Sequence, residues 1–123
     1  MNPHTKTFTA SGAIGHRRQV KFTATDGVVA LATAPTDVIA GVTDFPGGAT
    51  DGKRIDVVLF GPAEIECGGT MTPGATFTTD ATGRAVAAAP AAGVNNYIGG
   101  RVHENTVIGD YATAFINPSR IQG

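Results

Sequence analysis

The sequence predicts an all-β fold, a small antiparallel β-barrel or β-tulip of about eight strands with little helix. Its 17 glycines and 7 prolines cut the 123-residue chain into short segments. Within these segments apolar and polar residues alternate with period two, which is typical of half-buried antiparallel strands. No segment of about 12 residues keeps the period of an amphipathic helix. The length fits one domain that covers residues 1–123.

The N-terminal half is predicted to contain four strands. Asp26 and Gly27 are a strong hairpin signal between two of them. Pro35 and Asp37 end the strand that returns from this hairpin, and a long Gly-rich loop at residues 44–52 follows the fourth strand. The predicted strands are residues 5–10, 17–25, 28–32 and 38–43.

The C-terminal half is predicted to contain further short strands between turn residues. One β-rich run ends at the Gly-Pro pair 61–62, and the next ends at the Gly-Gly pair 68–69. Residues 80–83, Asp-Ala-Thr-Gly, are expected to form a hairpin turn. The last strand is expected to end at Asn-Pro 117–118, which leaves residues 119–123 as a tail. The predicted strands are residues 55–60, 63–67, 76–79, 84–88 and 111–116.

The charge content indicates what kind of surface the protein has. Charged residues make up 15% of the chain, against about a quarter in ordinary soluble proteins. So few charges favour a protein that packs against other proteins, and a tightly turned β domain is the alternative. The net charge of −1 gives no case for nucleic acid or a membrane surface. No apolar run approaches the ~18 residues of a spanning helix, and the N-terminus has no secretory signal core.

The positive charges at the start of the chain form the one charge asymmetry. Residues 1–25 contain Lys6, Arg17, Arg18 and Lys21 and no acid. We interpret residues 1–25 as a possible basic N-terminal arm whose four cations contact an acidic partner surface. A solvated strand face is the alternative interpretation.

Two segments resemble catalytic motifs but lack essential parts. Residues 47–54 approach the phosphate-binding pattern G-x-x-x-x-G-K-[ST], but Arg54 replaces the hydroxyl residue. The segment that follows is β-branched, whereas the motif requires a helix N-terminus. Residues 80–83 differ from the Asp-Thr-Gly of aspartic proteases by one inserted residue, so a turn is favoured there.

The remaining reactive side chains do not form a convincing catalytic set. His4, His16 and His103 are scattered without metal-ligand spacing. Glu64 and Glu66 share one strand face, a pattern compatible with glycoside hydrolysis, but the chain has no Trp to bind a sugar. Cys67 is the single cysteine, so we expect a buried residue, no intrachain disulfide and assembly in a reducing cytoplasm. We predict no enzyme activity and no cofactor.

The order of motifs in the second half resembles a known family. A hydrophobic strand is followed by Gly61-Pro-Ala-Glu-Ile-Glu-Cys-Gly-Gly-Thr70 and then by Phe77-Thr-Thr-Asp-Ala-Thr-Gly-Arg-Ala-Val86. Two later segments, residues 97–104 and 112–118, continue the pattern. Together they are similar to the capsid decoration (cement) proteins of tailed phages, over roughly residues 38–122.

The resemblance implies a structural role in a virion. Proteins of this family bind the outer surface of a phage capsid and stabilise the head shell, so it implies the major capsid protein as partner. It also implies copies of the same chain, as a trimer, as further partners. The alternatives are another virion component, such as a head fibre base or tail protein, and a small carbohydrate-binding or hydrolase domain. A pocket with clustered titratable groups would favour the last of these.

Overall fold

The computed structural model describes residues 3–123 and contains no helix in that range. It follows that none of these residues belongs to a helix able to cross a membrane. The strands are β1 (His4–Ser11), β2 (Gln19–Phe22), β3 (Val28–Leu31), β4 (Ile39–Thr43), β5 (Arg54–Glu66), β6 (Thr76–Thr79), β7 (Ala85–Ala87), β8 (Asn95–Val102) and β9 (Tyr111–Gln122).

Five of these strands close into a barrel, which confirms the predicted all-β barrel fold. Their order is β1-β3-β2-β4-β5, and β5 pairs back with β1. The ladders are antiparallel except between β1 and β3, which are parallel. In the β2–β3 hairpin, β2 pairs with β4 on one side and β3 pairs with β1 on the other. In this order β3 runs in the same direction as β1.

The other strands form a second sheet that grows from the far end of β5. Its order is β5-β9-β8-β6-β7, and all of these ladders are antiparallel. A bridge between Cys67 and Ala85 brings β7 back to the end of β5. Strand β5 therefore belongs to both halves of the molecule.

Each half has its own apolar core. The barrel core contains Phe8, Ala10, Ile14, Val20, Val29, Ala40, Ile55 and Val57. The second core contains Val42, Val58, Ile65, Cys67, Met71, Phe77, Ala85, Val102, Ala112, Ala114 and Ile116. Adjacent residues Val57 and Val58 point to opposite faces of β5 and enter different cores. The prediction that Cys67 is a core residue is confirmed.

The predicted break at Gly61 and Pro62 is wrong, because β5 continues through both residues. Gly61 has a φ of 112°, which a side chain disfavours, and it is the residue at which β5 exchanges its barrel partners for β9. Pro62 stays in the ladder opposite Phe115 although it has no N–H to donate. The two turn residues therefore redirect the strand rather than end it.

The predicted end of the last strand is also wrong. Strand β9 runs through Asn117 and Pro118 to Gln122, so residues 119–122 are strand rather than tail. The pairing with β8 shifts between Ile98 and Gly100, and this irregularity lies opposite Asn117 and Pro118. Two residues of β9 therefore lie opposite one residue of β8 and form a β-bulge. A bulge tolerates the missing N–H of proline.

Both predicted hairpin turns are confirmed. In the first, the Val28 N–H donates to the Thr25 carbonyl oxygen across Asp26 and Gly27. In the second, the Asp80 carboxylate accepts hydrogen bonds from the N–H groups of Thr82 and Arg84. Burial raises the pKa of Asp80, but these hydrogen bonds outweigh it and hold the pKa below its usual value.

The basic N-terminal segment is not a free arm, which corrects that interpretation. Strand β1 pairs along one edge with β5 and along the other with β3, so it closes the barrel. Strand β2 lies inside the same sheet. Met1 and Asn2, the first residues of the predicted arm, lie outside the described residues. Deleting residues 1–11 would remove a barrel strand.

The positive φ of Gly27 generates a stability prediction. Gly27 has a φ of 73°, and a Cβ at this position would contact nothing within 4 Å, so backbone strain alone opposes substitution. We expect Gly27→Val to lower the free energy of unfolding by about 1–3 kcal/mol, measured by denaturant titration. Gly27→Asn is the matched control and should cost less, because Asn tolerates this region. Equal stability of the wild type and the valine variant would contradict the turn assignment.

Candidate docking surfaces

The four predicted contact cations do not form one exposed patch. Arg17 is a half-buried turn residue before β2, with a φ of 61°. Its guanidinium lies 3.5 Å from Asp44 and 3.6 Å from Glu64. Lys21 lies 3.6 Å from Asp37, whose carboxylate also accepts from the backbone of Thr33. Much of the charge of both cations is therefore balanced inside the molecule.

Arg18 is at the centre of a polar cluster between the barrel and the second sheet. Its Nη2 donates to both carboxylate oxygens of Glu66 at 3.1 Å, and its Nη1 donates to the Thr82 carbonyl at 2.7 Å. The Glu66 side chain is only 15% exposed and also lies 3.9 Å from Arg84. The Tyr111 hydroxyl completes the cluster by donating to Glu66. One guanidinium thus joins the Glu66 carboxylate to the backbone of the 80–83 turn, through Nη2 and Nη1 respectively.

Lys6 differs from the other three predicted contact residues. It is exposed on β1, and its Nζ lies 5.2 Å from the centre of the Phe8 ring. This cation–π contact orients the ammonium group without neutralising it. Lys6 thus keeps its positive charge available to a partner.

The paired carboxylates and His16 have structural contacts, whereas His4 and His103 are exposed. Glu64 and Glu66 lie on one strand, as expected, and each forms an ion pair with an arginine. His16 accepts a hydrogen bond from the Phe45 N–H at Nδ1, which anchors the Gly-rich loop. Burial, with the nearby Arg17 charge, lowers the pKa of His16 and so favours the neutral acceptor form.

The structure offers no support for the nucleotide or metal motifs within the described part of the chain. Residues 47–54 lead directly into strand β5, so the helix N-terminus of a phosphate-binding loop is missing there. Ala49 in this loop instead forms a bridge with Ile14. Across residues 3–123, no three His, Cys, Asp or Glu side chains are grouped to hold a metal ion.

An open apolar groove lies between the barrel and the C-terminal ends of the second sheet. Its volume is about 650 Å³, and its exposed apolar residues include Phe22 (52% exposed) and Phe60 (41% exposed). Phe60 packs edge-on against Phe115 at 5.1 Å, so the ring is held in place. We call this surface the groove; it is lined by Phe22, Val38, Ile39, Ala40, Leu59, Phe60, Tyr97, Asn117, Pro118, Ser119 and Arg120.

A second apolar feature projects from the turn between β8 and β9. Ile108 is 66% exposed and Val107 is 55% exposed. The turn is rigid, because the Asp110 N–H donates to the Val107 carbonyl and the Gly109 N–H donates to the Cys67 carbonyl. The Asp110 carboxylate also accepts from the Val107 N–H. We call Val107 and Ile108 the knob.

Sequence reasoning missed both apolar surfaces. The groove brings together Phe22, Val38 and Phe60, which are far apart in the chain, so no local pattern joins them. The knob did have a local signal: two large aliphatic residues directly before Gly109 and Asp110, where polar turn residues are usual.

The comparisons with known proteins agree with the fold. No family model matches the sequence, and no curated protein matches it. Among solved structures, the chain is similar to the crystal structure of the head fiber gp8.5 N base in bacteriophage phi29, with a TM-score of 0.69. The two are 16% identical, and the match covers 99% of this chain and 100% of that chain. The protein therefore has the fold of that head fibre base.

The Arg18 cluster generates a second stability prediction. We expect Arg18→Ala to lower the free energy of unfolding by about 1–3 kcal/mol, because it leaves the largely buried Glu66 carboxylate without its nearest cation. Arg18→Lys should retain part of this stability, since lysine keeps the charge but not the planar fork. The measurement is denaturant unfolding at neutral pH.

The control for the Arg18 series is Lys6→Ala. Lys6 is exposed, so its removal should change stability by no more than about 0.5 kcal/mol. If Arg18→Ala unfolded at the same denaturant concentration as Lys6→Ala, the cluster would have no structural role.

Proposed function

We propose that this chain is a structural protein of a phage virion and forms the base of a fibre or similar appendage on the outer surface of the head. One observation carries the proposal: the similarity to a head fibre base extends over essentially the whole of both chains. A match of this extent concerns the entire domain, not a shared fragment. A head fibre base is one of the alternatives to a cement protein that the sequence analysis left open.

The surface chemistry supports a binding role. The chain has few charges for its length, and large apolar side chains remain exposed in the groove and the knob. Exposed apolar surfaces of this kind mark contacts with other proteins. The role we propose is stoichiometric: the domain binds the major capsid protein and copies of itself, as a trimer, and requires no cofactor. Repeated weak contacts across a shell gain strength from multivalency.

The predicted contact cations need to be reconsidered for this role. Arg17, Arg18 and Lys21 form ion pairs with carboxylates of the same chain, so their substitution would disturb the domain as well as any contact. Lys6 is exposed and does not hold the barrel together. We propose that Lys6 provides the electrostatic part of shell binding, and that the other three cations act mainly by shaping the surface beside it.

The cement role inferred from the sequence is the second candidate. The order of motifs from residue 38 to residue 122 favours it. A cement protein stabilises the shell itself, whereas a fibre base uses the shell only as an anchor. The two functions therefore differ in what the head loses when the protein is removed.

The attachment proposal is tested on virions of the phage that encodes this chain. We expect gold-labelled antibody against the protein to mark the head surface, and Lys6→Glu to lower occupancy on heads more strongly at low salt than at high salt. Lys53→Glu, also exposed but in the residue before β5, is the matched control. Labelling of the tail alone, or no labelling of intact virions, would contradict head attachment.

The same virions distinguish the two candidates. Heads that lack the protein should survive heating as well as complete heads if it is a fibre base. Earlier release of DNA from the depleted heads would instead favour the cement role.

A further inference from the structure

We infer that the knob of one copy binds in the groove of a neighbouring copy, so that the chain assembles head to tail into a closed ring. The inference deepens the proposed function, from which it takes the expectation that copies associate. It assigns the contact between copies to the knob and the groove, which no sequence motif had indicated.

The two surfaces have matching apolar chemistry. The knob is a projecting turn with two exposed aliphatic side chains, and the groove is an open apolar depression of about 650 Å³. The turn is already fixed by the backbone hydrogen bonds to Cys67 and within Val107–Asp110. Little conformational entropy is therefore lost when it binds.

The knob cannot reach the groove of its own chain. Strand β9 begins at Tyr111, beside the knob, and Arg120 near its other end lines the groove. At about 3.3 Å per residue these positions are roughly 30 Å apart along the strand. The partner that brings a knob to this groove must be another molecule.

The charges around the two surfaces are complementary. Glu104 and Asp110 lie exposed on either side of the knob. Arg120 is exposed and is the one charged residue among the described residues that line the groove. The adjoining depression, which shares Phe22 and Leu59 with the groove, is lined by both Lys6 and Asp26. The two acids beside the knob and Arg120 in the groove favour this orientation over knob-to-knob or groove-to-groove contacts.

A head-to-tail contact also explains why both surfaces are present on one chain. Such contacts are heterologous, and they form a ring when the rotation between copies closes. In a ring every copy uses its knob once and its groove once. Each apolar surface is small beside the ~800 Å² per partner of a standard interface, so using both in each copy increases the area buried.

The test is a complementation experiment on the isolated protein in solution. Ile108→Asp removes the knob, and Val38→Asp places a negative charge in the groove facing the two acids beside the knob; both positions are exposed. We expect the wild type to sediment as a closed oligomer and each variant to have its self-dissociation constant raised roughly tenfold or more. An equimolar mixture should form a two-chain complex, because it offers one intact knob and one intact groove.

A cysteine pair provides an independent readout. The variant Val38→Cys with Ile108→Cys should form disulfide-linked oligomers on mild oxidation, whereas either single variant should not; the native Cys67 is buried. Dimers from a single-cysteine variant would mean a symmetric contact and would overturn the inference. A monomeric wild type that still binds heads would overturn it too, leaving the proposed attachment intact. A wild type that is oligomeric but does not bind heads would overturn the proposed attachment and leave the inference about the knob and the groove intact.

Discussion

Strand β5 is the constraint on which the rest of the structure depends. Its first half is a wall of the barrel, and its second half starts the other sheet. Val57 enters one core and Val58 the other, so a single strand contributes to both apolar clusters. At Gly61 the strand exchanges its barrel partners for β9, so the two halves meet there. The Arg18–Glu66 pair joins the two halves at a second place, because Arg18 precedes barrel strand β2 and Glu66 ends β5 opposite Tyr111.

A rigid junction matters for the function we propose. The groove lies beside Phe60, where β5 leaves the barrel, and the knob precedes Tyr111, at the other end of the β5–β9 ladder. A ring of copies closes only if the angle and distance between these two surfaces are constant. Continuous strands β5 and β9 hold that spacing, and attachment to a shell lattice would benefit from the same rigidity.

The sequence predicted local structure better than it predicted long-range assembly. Alternation and turn residues located most strands and both hairpins, since the signals at Asp26–Gly27 and Asp80–Gly83 are local. The same rules failed at Gly61–Pro62 and Asn117–Pro118, where tertiary pairing carries the strand through residues that usually end one. The charges of Arg17 and Arg18 were visible, but their acidic partners are distant in the chain, so they were interpreted as free. The groove was not predictable because its residues meet only in the fold.

Native-state hydrogen exchange tests the shared-strand account most directly. If β5 joins the halves into one cooperative unit, the amides of Val57 in the barrel and Ile65 in the second sheet should exchange with the same opening free energy. That value should equal the global free energy of unfolding, and Arg18→Ala should lower both equally. Two distinct opening free energies, with only one of them changed by Arg18→Ala, would show that the halves unfold independently and would contradict the account.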